Sequence, residues 1–174
     1  MKQRRLVEFA REMVGITEQG GENRGQMVER FQKEQDGKAS GEPWCAAFVF
    51  YCINVVDRMA DVPPFGKTRL HKSELVTAVW GRSPEDLRGT VPEPGSLVVW
   101  RRYDASGRPT WAGHIGIVTQ VLPDGTLMTI EGNTSADGGD PREGDGVFEK
   151  HRDPFRGMGN LRVEGYLYPW GRTY

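Results

Sequence analysis

One stretch limits what this chain can fold into more than any other: Glu42-Pro43-Trp44-Cys45-Ala46-Ala47-Phe48-Val49-Phe50-Tyr51-Cys52. From Cys45 the apolar side chains fall at Cys45, Phe48, Val49, Cys52, Ile53 and Val56. That is the stripe of a helix laid on a core. Pro43 suits a first helical position, where its missing N–H would have no intrahelical partner anyway. Cys45 then sits in the first turn, at the top of the buried face. The free N–H groups and the dipole of a helix end favour an anion there, and so a thiolate over a thiol. A lone cysteine in a helix is more often a small buried hydrophobe. The rest of the chain must supply a reason to read it otherwise.

The remainder bounds the possibilities. The sequence has 174 residues, room for one domain over 1–174 with a true core. Its 23 basic and 24 acidic residues nearly cancel, which argues against a nucleic-acid partner. No apolar run is long enough to span a membrane. Met1-Lys2-Gln3-Arg4-Arg5 begins like a signal peptide, but Glu8, Arg11 and Glu12 interrupt the apolar run that should come next, so no export signal can be read. Cys45 and Cys52 are the two cysteines. Seven residues apart on one helix, they stand about 10 Å apart along the axis, beyond the roughly 7 Å a disulfide tolerates. Two cysteines and three histidines without a CxxC pair predict no zinc site, and no cofactor is expected.

Taken in order, Leu6, Phe9, Ala10 and Met13 mark a helix that Gly15 stops. A polar, glycine-rich loop comes after it, then a second helix with Met27, Val28 and Phe31 inward and Asn23 as a cap. The Glu34–Gly37 turn is acidic but lacks the alternating oxygen ligands of a calcium loop; a structural calcium at Asp36, or in the Asp137–Asp145 loop, stays open. After the Cys45 helix come a loop at Pro63, Pro64 and Gly66 and a short helix capped by Ser73, carrying Leu75, Val76, Val79 and Trp80. From Gly95 the texture turns to strands at 97–100, 114–121, 126–131, 147–149 and 163–168. Helices first and an antiparallel sheet second reads as α+β.

A reactive cysteine needs a base and a group to hold that base. His71, near a helix start amid basic residues, reads as surface, and His151 lies between Lys150 and Arg152, a poor place for an imidazole that must carry charge. His114 opens a strand that hairpins at Asp124-Gly125. With a two-residue loop, Val118 would pair with Glu131 and Gly116 with Asn133. His114, Glu131 and Asn133 then share one face of the sheet. Either Glu131 or Asn133 could orient the imidazole, with the register favouring Asn133.

The segments PWCAAFVFYC, PGSLVVW, GHIGIV and IEGN together resemble a CHAP domain, a cysteine, histidine-dependent amidohydrolase/peptidase of the papain-like superfamily. The similarity runs from about Gly15 to Pro169. The resemblance implies a papain-like α+β fold with the nucleophile helix on an antiparallel sheet. It implies Cys45 as nucleophile, His114 as base, Glu131 as orienter and Asn133 as a fourth polar residue. Trp44, Asn23 and Gly113, beside these motifs, are expected to touch substrate. The implied substrate is bacterial peptidoglycan, cut at an amide through an acyl-enzyme, as by a phage lysin, an autolysin or an antibacterial effector. Alternatives are another amide or isopeptide, or a catalytically silent binding module. A wall enzyme without a readable export signal would need a holin or secretion system for delivery to the periplasm or wall, and an immunity or inhibitor protein is a conceivable partner. Two departures stand out. Ser96 replaces the acid of the family's usual PGD, a change expected to touch the fold and not the chemistry. The Lys38–Gly41 segment lacks the glutamine that often helps bind the oxyanion in papain-like enzymes.

Overall fold

A computed structural model describes residues 1–59, 66–136 and 144–172. The helices are α1 (Lys2–Glu12), α2 (Gln26–Asp36), α3 (Cys45–Arg58) and α4 (Val76–Arg82). The strands are β1 (Arg88–Gly89), β2 (Leu97–Tyr103), β3 (Pro109–Val121), β4 (Leu127–Thr134), β5 (Gly146–Arg152) and β6 (Leu161–Leu167). They form one antiparallel sheet in the order β1-β6-β2-β3-β4-β5. This is the expected α+β, papain-like arrangement.

Strand alternation gives the sheet two apolar faces. Leu97, Val99, Ile115, Ile117, Ile130, Val147 and Leu167 join the core shared with the helices. Val98, Trp100, Val118, Leu127, Leu161, Tyr166 and Tyr168 build a smaller cluster on the other side. Helix α3 is the hub of the first core, with Phe48, Val49, Cys52 and Ile53 fully buried as the periodicity predicts. Phe31 of α2 packs its ring against Trp44, Phe48 and Tyr51.

Local signals misplace some boundaries. Helix α3 begins two residues after Pro43, with Trp44 at the N-cap. Helix α2 is preceded by Gly25 and not capped by Asn23, whose own N–H is taken by Glu18. The Ser73 hydroxyl accepts the Leu75 N–H, but α4 starts at Val76 and Leu75 is exposed. Ser96 is buried and its hydroxyl donates to the Glu93 carbonyl, closing the turn before β2, so its role is in the fold as expected. Pro63, Pro64 and the Asp137 end of the glycine-rich loop lie outside the described residues.

Distant parts of the chain converge on Asp57 near the end of α3. Its carboxylate accepts from the Lys2 ammonium at 2.8 Å, the Thr68 N–H at 2.9 Å and the Trp170 indole at 2.7 Å. Lys2 and Asp57 are almost wholly buried. Removing one partner of such a pair strands the other charge, which costs several kcal/mol. Asp57→Ala is therefore expected to destabilise the fold by about 3 kcal/mol, roughly 6–12 °C in melting temperature for a chain of this size. A thermal melt that moves by less than about 2 °C would show the pair to be dispensable.

Candidate active site

The site forms where the sheet opens to admit a helix end. The β3–β4 pairing runs from Val121↔Leu127 to Ile117↔Ile130. Beyond it, Asn133 adopts a left-handed conformation (φ 55°), at a break in the β4–β5 register between Glu131 and Thr134. The N-terminus of α3 docks here: the Trp44 N–H donates to Asn133 Oδ1 at 2.8 Å, and the Trp44 carbonyl accepts the Phe48 N–H. Cys45 comes next as the first residue of the helix, buried and unpaired in any disulfide.

His114 projects toward this helix end. It is buried, its ring stacks on Trp100 with centroids 5.7 Å apart, and the Cys45 thiol is close enough to shift its titration. Its Nε2 lies 2.9 Å from Glu131 Oε2, which leaves Nδ1 as the ring nitrogen for the thiol. Glu131 is fully buried and richly satisfied. Oε1 accepts from the Thr129 hydroxyl at 2.6 Å and Arg152 Nε at 2.8 Å, and Oε2 accepts from the second guanidinium branch at 2.6 Å.

The hairpin expectation needs correction. The loop is not the two residues Asp124-Gly125: Leu122–Thr126 separates the last paired residues, and the register shifts between Val118 and Gln120. Val118 pairs with Thr129 and not with Glu131. A slip of two residues keeps every side chain on its face but moves it along the strand. The space above Gly116 is therefore filled by Glu131: a Cβ on Gly116 would stand 2.6 Å from Glu131 Cγ. Asn133, favoured by the register argument, does not hold the imidazole. Its amide bridges the Trp44 N–H and the Gly144 carbonyl, so it locates the start of α3.

The three expected substrate contacts lie in different surroundings. Trp44 is fully buried, with its indole N–H on Glu18 Oε1 and its ring against Phe31. Asn23 is held through its backbone, the N–H on Glu18 Oε2 and the carbonyl accepting from Gln32. Gly113 lies under Trp100, where a Cβ would come within 2.5 Å of the Trp100 carbonyl; its lack of a side chain serves strand packing. His71 and His151 are engaged elsewhere, the first through its N–H to Ser83 and the second through its ring to Thr126. Sequence reading misses Glu18, Thr129 and Arg152. From sequence, Arg152 reads only as a neighbour of His151.

Electrostatics are set by this packing. Burial by itself would push the His114 imidazole down, but the hydrogen bonds and charges of Cys45 and Glu131 outweigh it and raise His114 from 6.5 to about 9. Burial would likewise raise the Glu131 carboxyl, yet Arg152 and His114 hold it well below the ordinary carboxylate range. The signs differ. The raised His114 contributes stability that is full below 6.5 and is lost as pH rises through about 9. The depressed Glu131 contributes above 4.5, and that part is lost only in strong acid. Any turnover that needs a protonated His114 is expected to hold through neutral pH and fall as pH passes about 9. A rate profile already falling near pH 7 would contradict it.

Glu34, Gln35 and Asp36 close α2 and do not form the expected turn, and Asp36, Glu42 and Glu74 bring carboxylate atoms within 4.8 Å of one another beside this helix end. Among the described residues, no helix is long and apolar enough to cross a membrane. A family model described as the CHAP domain matches residues 37–133, more than half of the chain and a span that includes Cys45, His114, Glu131 and Asn133. Neither curated proteins nor solved structures gave a match.

Proposed function

The chain belongs to the CHAP domain family, and on that premise we propose that it hydrolyses amide bonds of bacterial peptidoglycan with Cys45 as nucleophile. The observation that carries the reading is a thiol at the N-terminus of α3, within reach of an imidazole whose far nitrogen is bound to a buried carboxylate. In this reading Cys45 Sγ bonds to the amide carbonyl carbon, and the oxyanion faces the unpaired N–H groups of the helix start. The C–N bond then breaks as His114 gives its proton to the leaving amine. A water molecule, deprotonated by His114, attacks the thioester and releases the carboxylic acid and the thiol. Glu131 keeps the ring oriented and stabilises its positive form.

The family supports the amide chemistry; the wall as substrate is the finer step. It is tested by digesting purified peptidoglycan with the wild type and Cys45→Ala and resolving the fragments by mass. New amine termini released only by the wild type support it. Release of nothing from the wall, with cleavage of an isopeptide or of a glutathione conjugate, would move the same chemistry to another amide. Cleavage of none of these would leave a silent binding module. The wall reading also places action in the periplasm or on the wall, after delivery by a holin or secretion system. Expression with an added signal peptide should then lyse cells that tolerate the protein in their cytoplasm. Equal toxicity from both compartments would point away from the wall.

A further inference from the structure

We propose that Arg152 is a positioning residue that supplies the positive charge allowing Cys45 and Glu131 to be anionic together in one buried site. The proposal rests on Cys45 and His114 being the reacting pair. Four titratable or charged groups meet here, each from a different element: Cys45 from α3, His114 from β3, Glu131 from β4 and Arg152 from β5. With a thiolate, an imidazolium, a carboxylate and a guanidinium, the cluster sums to zero. Without Arg152 it would carry a net negative charge among groups that are almost wholly buried, where unbalanced charge is costly.

The geometry fits this role better than a loose surface ion pair. The guanidinium grips both oxygens of Glu131 in a fork, at 2.8 and 2.6 Å, with Arg152 itself only 11 % exposed at the side chain. With Thr129 and His114, four donors fall on two oxygens, so the lone pairs of the carboxylate are all engaged. A proton on Glu131 would break one of these bonds. The fork also fixes the plane of the carboxylate, so that Oε2 stays turned to His114. A lysine would keep the charge but could not hold the plane.

The test measures the rate of Cys45 alkylation by iodoacetamide against pH, with labelling sites read by mass. It needs no substrate, so failure to digest the wall leaves it standing. Arg152→Gln should move the acid limb of the profile upward by about one pH unit or more. Glu131→Gln, which removes the opposite charge, should move it downward. Arg152→Lys should keep the limb close to wild type while lowering turnover, since charge is retained and alignment is lost. A purely structural Arg152 would leave the limb in place or shift it the same way in both glutamine variants, and either outcome overturns the proposal. Should Arg152→Gln not fold, Glu131→Gln can be compared with the double variant Glu131→Gln/Arg152→Gln. Adding the arginine change must bring the limb back up, and a limb that stays down refutes the charge balance. A native Cys45 that does not alkylate at all would overturn both this proposal and the reading of the site.

Discussion

Cys45→Ala is expected to abolish amide hydrolysis, a loss of about four orders of magnitude or more, while leaving the fold unchanged. The loss is chemical, because no other nucleophile stands beside His114 at the start of α3 among the described residues. The fold should survive because alanine is a good helix former and one sulfur atom at a helix end adds little to packing. Circular dichroism and a melt within a few degrees of wild type, beside a blank digestion, would meet the expectation. Residual turnover near the wild-type rate would remove Cys45 from the mechanism. Cys52 provides the internal control. It is fully buried in the core and burial pushes its thiol far upward, so it should resist alkylation in the native protein while Cys45 reacts. Labelling of Cys52 first would reverse the assignment.

The second large effect separates Glu131 from Asn133. Glu131→Gln keeps the size of the side chain but removes the charge beneath the imidazolium, and leaves Arg152 facing a neutral amide. Turnover is expected to fall about 10³–10⁴-fold, the scale seen when a buried acid behind a catalytic histidine becomes an amide. Asn133→Ala acts elsewhere. It frees the buried Trp44 N–H and the Gly144 carbonyl, costing about 1–3 kcal/mol of stability. Activity should fall less, through a less firmly seated α3. The two are distinguished by titrating the His114 ring by NMR. Glu131→Gln should lower its midpoint from the raised value, while Asn133→Ala should leave it nearly in place. If Asn133→Ala cost more turnover and also moved the His114 titration, the amide and not the acid would be the orienter.

These outcomes depend on features read with unequal ease from the chain. The buried stripe of α3, with Cys45 at its head, is legible because helical periodicity and a nearby proline are local signals. The nearness of His114 and Glu131 is legible in part, because the irregularity at Val118–Gln120 brings the slip to two residues and so returns both to the face assumed for them. Which of the two acceptors lies against His114 is not legible. A slip of two residues preserves every face and every apolar contact pattern, so hydrophobicity cannot detect it. That choice is made by the longer Leu122–Thr126 connection, the irregularity at Val118–Gln120 and the room left above Gly116. Trp44 is expected from the resemblance to touch substrate, but Phe31 and Glu18, from segments well upstream, pack against it in the core. Arg152 lies farthest from local reading. Its place on Glu131 exists only once β5 pairs with β4 across an intervening loop, and long-range pairing of that kind leaves no trace in the sequence around either residue.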